Sequence, residues 1–163
     1  MTSTPYKIIT LAAALVVLIL DQFSKLAART CFFPGEAKTV IAGFFDLTYV
    51  RNTGAVWGCL HDRNEWLTLV SLLALVLVFV FYRYLVDGRR GGIQSFVIGC
   101  IAGGILGNLV DRIRFGWVID FLDFYAYGWH WPAFNIADAA ICSGVGLYLL
   151  TSLLSFDRYD AAK

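Results

Sequence analysis

Four stretches of this chain are each long and apolar enough to cross a bilayer, and nothing else in the sequence narrows the possible folds so far. A spanning helix needs roughly 20 mostly apolar residues. The first stretch runs over 8–28; it is uncharged from Ile8 to Leu20 and then holds Asp21, Gln22, Ser24 and Lys25. The second covers 66–86, interrupted near its end by Arg83. The third covers 93–113 and closes with Asn108, Asp111 and Arg112. The fourth covers 134–156, with Asn135 and Asp138 in its first turns. All four are too apolar all round to be surface helices of a soluble protein. Composition agrees: 59% of the 163 residues are hydrophobic and 15% are charged, against about 45–50% and about 25% in soluble domains. A soluble enzyme and a disordered chain are excluded. A net charge of +1 offers no footprint for nucleic acid.

The expectation is therefore an all-α polytopic membrane protein, one membrane domain over 1–163, with both termini on the same side. Lys7 followed by Ile8–Leu20 has the form of a signal peptide, but Asp21 and Lys25 stand where a small-residue cleavage site belongs, so the helix reads as retained. If the N-terminus is cytoplasmic, six basic residues (Lys7, Arg83, Arg89, Arg90, Arg158, Lys163) face six on the other side (Arg29, Lys38, Arg51, Arg63, Arg112, Arg114). The cytoplasmic six sit in very short segments, and basic residues in short loops favour the cytoplasm. The 29–65 connection then lies outside. Within it Phe45, Leu47 and Tyr49 alternate with Asp46 and Thr48, and 39–45 with 47–51 predicts a short half-buried extracytoplasmic sheet. The second outer connection, 114–133, is dense in Phe, Trp and Tyr, which suit the membrane–water boundary. Gly99, Gly103 and Gly107, with Gly104, and Ala140 with Gly144, have the spacing that lets helix backbones approach closely in lipid.

Five acids, Asp21, Asp111, Asp120, Asp123 and Asp138, map to the same ends of the spans. Ionisable groups at such positions are costly and point to function. Each also has a structural reading. Asp21 and Lys25 have the i,i+4 order of a helix ion pair. Asn108 and Asp111 share a face, with Arg112 next to it, and fit a supporting role through each other, Arg114 or a loop carbonyl. Asn135 and Asp138 have the spacing of an N-cap and its third helical residue, so capping and catalysis stand side by side for Asp138. Asp120 sits among apolar neighbours with no local partner, whereas Asp123 reads as facing water. His61 and His130 lack a partner with metal-ligand spacing and read as solvated or interfacial; no metal site and no cofactor is expected. No serine has a base within the spans. Cys100 and Cys142 read as small core residues. Cys31 and Cys59 share an exterior connection, where a disulfide and two free thiols are both open. What remains is carboxylate chemistry, in which two neighbouring acids share a proton. A proton-coupled transporter would place its acids near the bilayer midplane, and a membrane scaffold would need none of them.

The chain resembles the bacterial lipoprotein signal peptidases (signal peptidase II). The resemblance rests on Asp21-Gln22-Phe23-Ser24-Lys25, Arg51-Asn52-Thr53-Gly54-Ala55, the run from Gly103 to Arg112, Val118-Ile119-Asp120-Phe121 and Phe134-Asn135-Ile136-Ala137-Asp138, in that order. It implies an intramembrane aspartyl endopeptidase with four helices and a small exterior sheet. Asp120 and Asp138 match the family's catalytic pair. Asp21, Lys25, Asn52, Gly54, Asn108, Asp111, Arg112 and Asn135 match its supporting polar residues. It further implies cleavage N-terminal to a diacylglyceryl-modified cysteine of prolipoproteins, membrane lipids as surroundings, and a place in the bacterial inner membrane; a monomer is expected. Val56-Trp57-Gly58 departs from the family's usual residues and puts the shape of that part of the cleft in question.

Overall fold

The computed structural model describes residues 4–54, 63–86 and 91–160, with side chains as far as 153. Cys59, His61, the departure at Val56-Trp57-Gly58, the Asp87–Arg90 turn and Lys163 lie outside the described residues, and the Arg158 side chain lies outside the described side chains. In chain order the elements are α1 (Thr4–Cys31), β1 (Ala37–Ile41), β2 (Phe45–Asn52), α2 (Asn64–Leu85), α3 (Gly91–Phe115), β3 (Val118–Ala126), β4 (Trp129–His130) and α4 (Ile136–Asp160). All four helices are long and apolar enough to span a membrane.

The bundle is ordered around α3, where buried residues run from Gly91 to Asp111. Small residues let its neighbours come close. A Cβ on Gly99 or Gly103 would stand 2.5 Å from the carbonyl oxygen of Thr10 or Ala14 on α1; one on Gly104 would meet that of Ala137 on α4 at the same distance. The expected glycine spacing is thus a packing device on two faces of one helix. On α1 the apolar side chains Leu11, Leu15, Ile19 and Phe23 are exposed, while Ala13, Asp21, Lys25 and Ala28 are buried. That is the reverse of a soluble helix and suits a lipid surround. At the end far from the sheet, Val97, Ile98 and Ile101 pack against Val78, Tyr82 and Tyr148. There Thr10 Oγ1 and Tyr82 OH share a hydrogen bond of 2.8 Å, and Thr10 Oγ1 donates to Ser95 O.

The sheet has four antiparallel strands in the order β1-β2-β3-β4. With its turn at 42–44 and β1 exposed throughout instead of half-buried, the β1–β2 hairpin falls in the region where a sheet is expected. Strands β3 and β4 do not: they lie inside the 114–133 connection, read above only as an aromatic segment. Val118, Ile119, Asp120 and Phe121 are all buried, so β3 shows no apolar–polar alternation at its start. It turns back through Tyr127 (φ 51°) and Gly128 (φ 78°), the left-handed pair of a tight hairpin. The last span begins two residues later than expected. Phe134 exchanges backbone hydrogen bonds with Leu122 (2.9 and 3.1 Å), extending the sheet, and Asn135 caps the helix.

Candidate active site

Local sequence sets most of the polar geometry. Asn135 and Asp138 form a reciprocal capping box: the Asp138 N–H donates to Asn135 Oδ1 (3.0 Å) and the Asn135 N–H to Asp138 Oδ2 (3.3 Å). Pairing of Phe134 with β3 carries this helix start against Asp120, so that Asn135 Nδ2 donates to Asp120 Oδ1 at 2.6 Å. Strand β2 supplies the other clamp, Asn52 Nδ2 to Asp120 Oδ2 at 2.8 Å. Asn52 is itself oriented by the Gly54 N–H, which donates to its Oδ1 at 2.9 Å. Helix α3 completes the group: Asn108 Nδ2 donates to Asp138 Oδ1 at 2.7 Å, and Asn108 Oδ1 accepts from Asn135 Nδ2 at 3.3 Å. Two asparagines, 108 and 135, therefore hold both carboxylates.

Beneath this pair lies a buried ionic hub. Lys25, 1% exposed, directs its ammonium at Asp21 Oδ2 (2.9 Å), Asp111 Oδ2 (2.9 Å) and Asn108 Oδ1 (2.8 Å), one acceptor for each of its three protons. Two acids share one ammonium, and directed dipoles meet their remaining hydrogen-bonding capacity. Asp21 Oδ1 accepts the Ala137 N–H (3.0 Å) in the first turn of α4, where the helix dipole favours an anion. Asp111 Oδ2 accepts the Ile119 N–H (3.2 Å), tying the start of β3 to α3. The i,i+4 pair read from the sequence is present, and Asp111 joins it instead of turning to Arg114. A methyl group on Gly107 would overlap Asp21 Oδ2, so that glycine admits the acid.

All ten residues singled out from the sequence gather at the sheet end of the bundle. Arg112 is half-buried and lies in the field of Asp138, Asp120 and Asp111. It also lines a cavity of about 370 Å³ with Asn64, Leu69, Leu72 and Ile113 between the ends of α2 and α3. One contributor was read only as part of a motif: Gln22 Nε2 donates to Asp111 Oδ1 (3.0 Å) and Gly107 O (3.1 Å). An amide at membrane depth beside an acid is the signal that could have marked it. Asp123 does not simply face water; its carboxylate meets His130 Nδ1 at 3.0 Å on the sheet surface. Among the described residues no group of His, Cys, Asp and Glu has the geometry of a metal site.

Asp120 is 1% exposed. Burial, and after it the charge of Asp138, push its carboxyl up to about 7; the Asn52 and Asn135 donors and the Lys25 charge pull the other way without winning. This carboxyl exchanges its proton near neutrality, with a second carboxylate alongside. Four membrane-spanning helices with two neighbouring carboxyls at one end fit the class of an intramembrane aspartic peptidase.

The family model described as signal peptidase (SPase) II matches residues 13–154. A lipoprotein signal peptidase of Syntrophotalea carbinolica is 42% identical over 160 residues, 96% of this chain and 97% of that protein. One of Nitratidesulfovibrio vulgaris is 45% identical over 150 residues, 90% of each. A solved structure described as "Bacterial membrane enzyme structure by the in meso method at 2.3 A resolution" superposes with a TM-score of 0.78 at 30% identity, over 90% of this chain and 87% of that one. The chain belongs to the signal peptidase II family, the membrane aspartic peptidases that remove signal peptides from prolipoproteins.

Proposed function

We propose that Asp120 and Asp138 are the catalytic pair, cutting prolipoproteins on the N-terminal side of their diacylglyceryl-modified cysteine. The observation that carries this reading is the asparagine clamp, in which Asn135 donates to Asp120 and Asn108 to Asp138 while Lys25 anchors Asn108 from below. Asp120 carries the proton of the pair and donates it towards the scissile carbonyl oxygen. Asp138 takes a proton from the attacking water. The tetrahedral diol collapses as Asp138 passes the proton it took from water to the leaving amine, and Asp120 takes its own proton back from the hydroxyl it formed, which restores the pair. Each Asp120 oxygen accepts one amide N–H and keeps a further lone-pair site for this exchange. Asn52, Asn135, Asn108 and Gly54 hold the geometry; Asp21, Lys25 and Asp111 fix the helices that bear it; Arg112 adds positive charge beside both acids.

The substrate class also fits the cavity under Arg112. Its Leu69, Leu72 and Ile113 walls suit an acyl chain, and its polar end suits the ester and peptide groups of a lipidated cysteine. We infer that the chain acts as a monomer in the bacterial inner membrane. Its active site faces the extracytoplasmic side, which accords with Lys7 and Arg83 at the opposite ends of their helices. The test is cleavage of a lipidated precursor peptide by wild type, Asp120→Asn and Asp138→Asn. Each variant is expected to lose turnover by three orders of magnitude or more while melting cooperatively in detergent. Turnover within tenfold of wild type in either variant rejects the assignment.

A further inference from the structure

A second cavity, of about 350 Å³, opens on the other face of the sheet from Asp120. In the β2–β3 ladder Arg51 pairs with Ile119, one step out of phase with the Val50–Asp120 pair, so its side chain leaves the opposite face. The cavity is lined by Arg29 and Phe33 from the end of α1 and its loop, Tyr49 and Arg51 from β2, and Phe115 and Trp117 around the end of α3. Arg29 lies over the Phe115 ring at 5.0 Å and Arg51 over the Trp117 ring at 4.9 Å; Arg114 stands 5.1 Å from the same Phe115 ring. A guanidinium held over a ring keeps N–H donors for something else. Among the described residues neither Arg29 nor Arg51 meets a carboxylate: the ion pairs there use Lys25 and His130. The neighbouring acid, Glu36, spends its Oε2 on the Phe33 N–H at 2.8 Å. The indole N–H of Trp117 is buried and has no acceptor among the described residues, a costly state for a donor.

Two fixed cations and an unfilled donor around one cavity call for an anion with several acceptor oxygens. Its depth indicates the source. Helix α1 has 28 residues, about 42 Å at 1.5 Å each, against a hydrocarbon core of about 30 Å. Its last turn, with Arg29, reaches headgroup level. Phe33 beside it is 81% exposed, an apolar contact for the glycerol and upper acyl carbons. We propose that this cavity binds the phosphate of an anionic phospholipid, gripped by Arg29 and Arg51 and completed by the Trp117 N–H. The site is separate from the carboxylate pair and does not depend on its assignment.

The full chain in neutral detergent, titrated with phosphatidylglycerol or with phosphatidylcholine of the same acyl chains and read by native mass spectrometry, tests this. A 1:1 phosphatidylglycerol complex at least tenfold tighter than the phosphatidylcholine one is expected. Arg29→Gln/Arg51→Gln should remove that preference, Trp117→Phe should weaken it several-fold, and Arg29→Lys/Arg51→Lys should retain most of it. Turnover of a lipidated precursor in lipid-free detergent should stay at the wild-type level in Arg29→Gln. Equal affinity for the two lipids, or an undiminished preference in the double Gln variant, overturns the proposal. If that variant does not fold, undiminished preference in both Arg29→Gln and Trp117→Phe overturns it instead. Displacement of the lipid by equimolar inorganic phosphate makes the ligand a free phosphate and overturns the lipid assignment.

Discussion

Replacing Asp120 with asparagine should make the protein more tolerant of alkaline conditions, even as it removes activity. The folded protein holds this carboxyl at about 7, against an ordinary 3.8 in the unfolded chain. Between those values the folded state binds more protons than the unfolded one. The contribution is therefore fully present below pH 3.8 and is lost as pH rises through about 7. From pH 4.5 to pH 8.5 the wild type should lose about 3 kcal/mol relative to a variant that cannot ionise there. An amide brings a pH-independent cost of its own, because Asn52 and Asn135 present N–H donors to both oxygens and one of them would face another donor. That cost shifts the variant's whole curve by about 1–3 kcal/mol and leaves the slope untouched. The slope is thus the quantity to read. Thermal unfolding in detergent micelles, from pH 4.5 to pH 8.5, should show the difference in Tm between variant and wild type changing by about 6–12 °C in the variant's favour. Parallel curves would refute the reasoning, since they would mean that Asp120 carries no perturbed proton.

Three further outcomes test the packing and the hub. Lys25→Met leaves Asp21 and Asp111 buried without their cation, and should cost about 3–5 kcal/mol by denaturation in micelles. Gly107→Ala drives a methyl group into Asp21 Oδ2, whereas a Cβ on Gly146 meets nothing within 4 Å. The first should destabilise by about 1–3 kcal/mol and the second stabilise by up to about 1 kcal/mol. Asn135→Ala removes the cap of α4 and the bond to Asp120 together; turnover should fall more than a hundredfold, with Asn135→Asp failing to restore it because that side chain presents no amide donor at neutral pH.

The spans were legible because length and hydropathy are local properties. The Asn135–Asp138 box and the Asp21–Lys25 pair were legible because their spacing is that of one helical turn. Strand β3 was not. Its opening residues are all buried, so the alternation that marks a half-exposed strand is missing. The remaining partners of Lys25 were hidden for another reason: Asn108 and Asp111 lie more than 80 residues away and reach it only because Gly103 and Gly107 let α1 and α3 close on one another. Gln22 showed the same limit. A neutral amide has no charge to demand a partner, and its acceptors on α3, Gly107 O and Asp111 Oδ1, come within reach only when the helices are in place.

The Lys25 hub has a consequence for how the enzyme comes into being. It draws its members from the first, third and last spans, and it ties down the strand that carries Asp120. A nascent chain with one or two helices in the bilayer can pair Lys25 with Asp21 but leaves the other two ammonium protons without their acceptors on the third span, which favours the docking of that helix. Docking satisfies them and in the same event brings the two aspartates into register. Completion of the fold and assembly of the proposed site thus coincide.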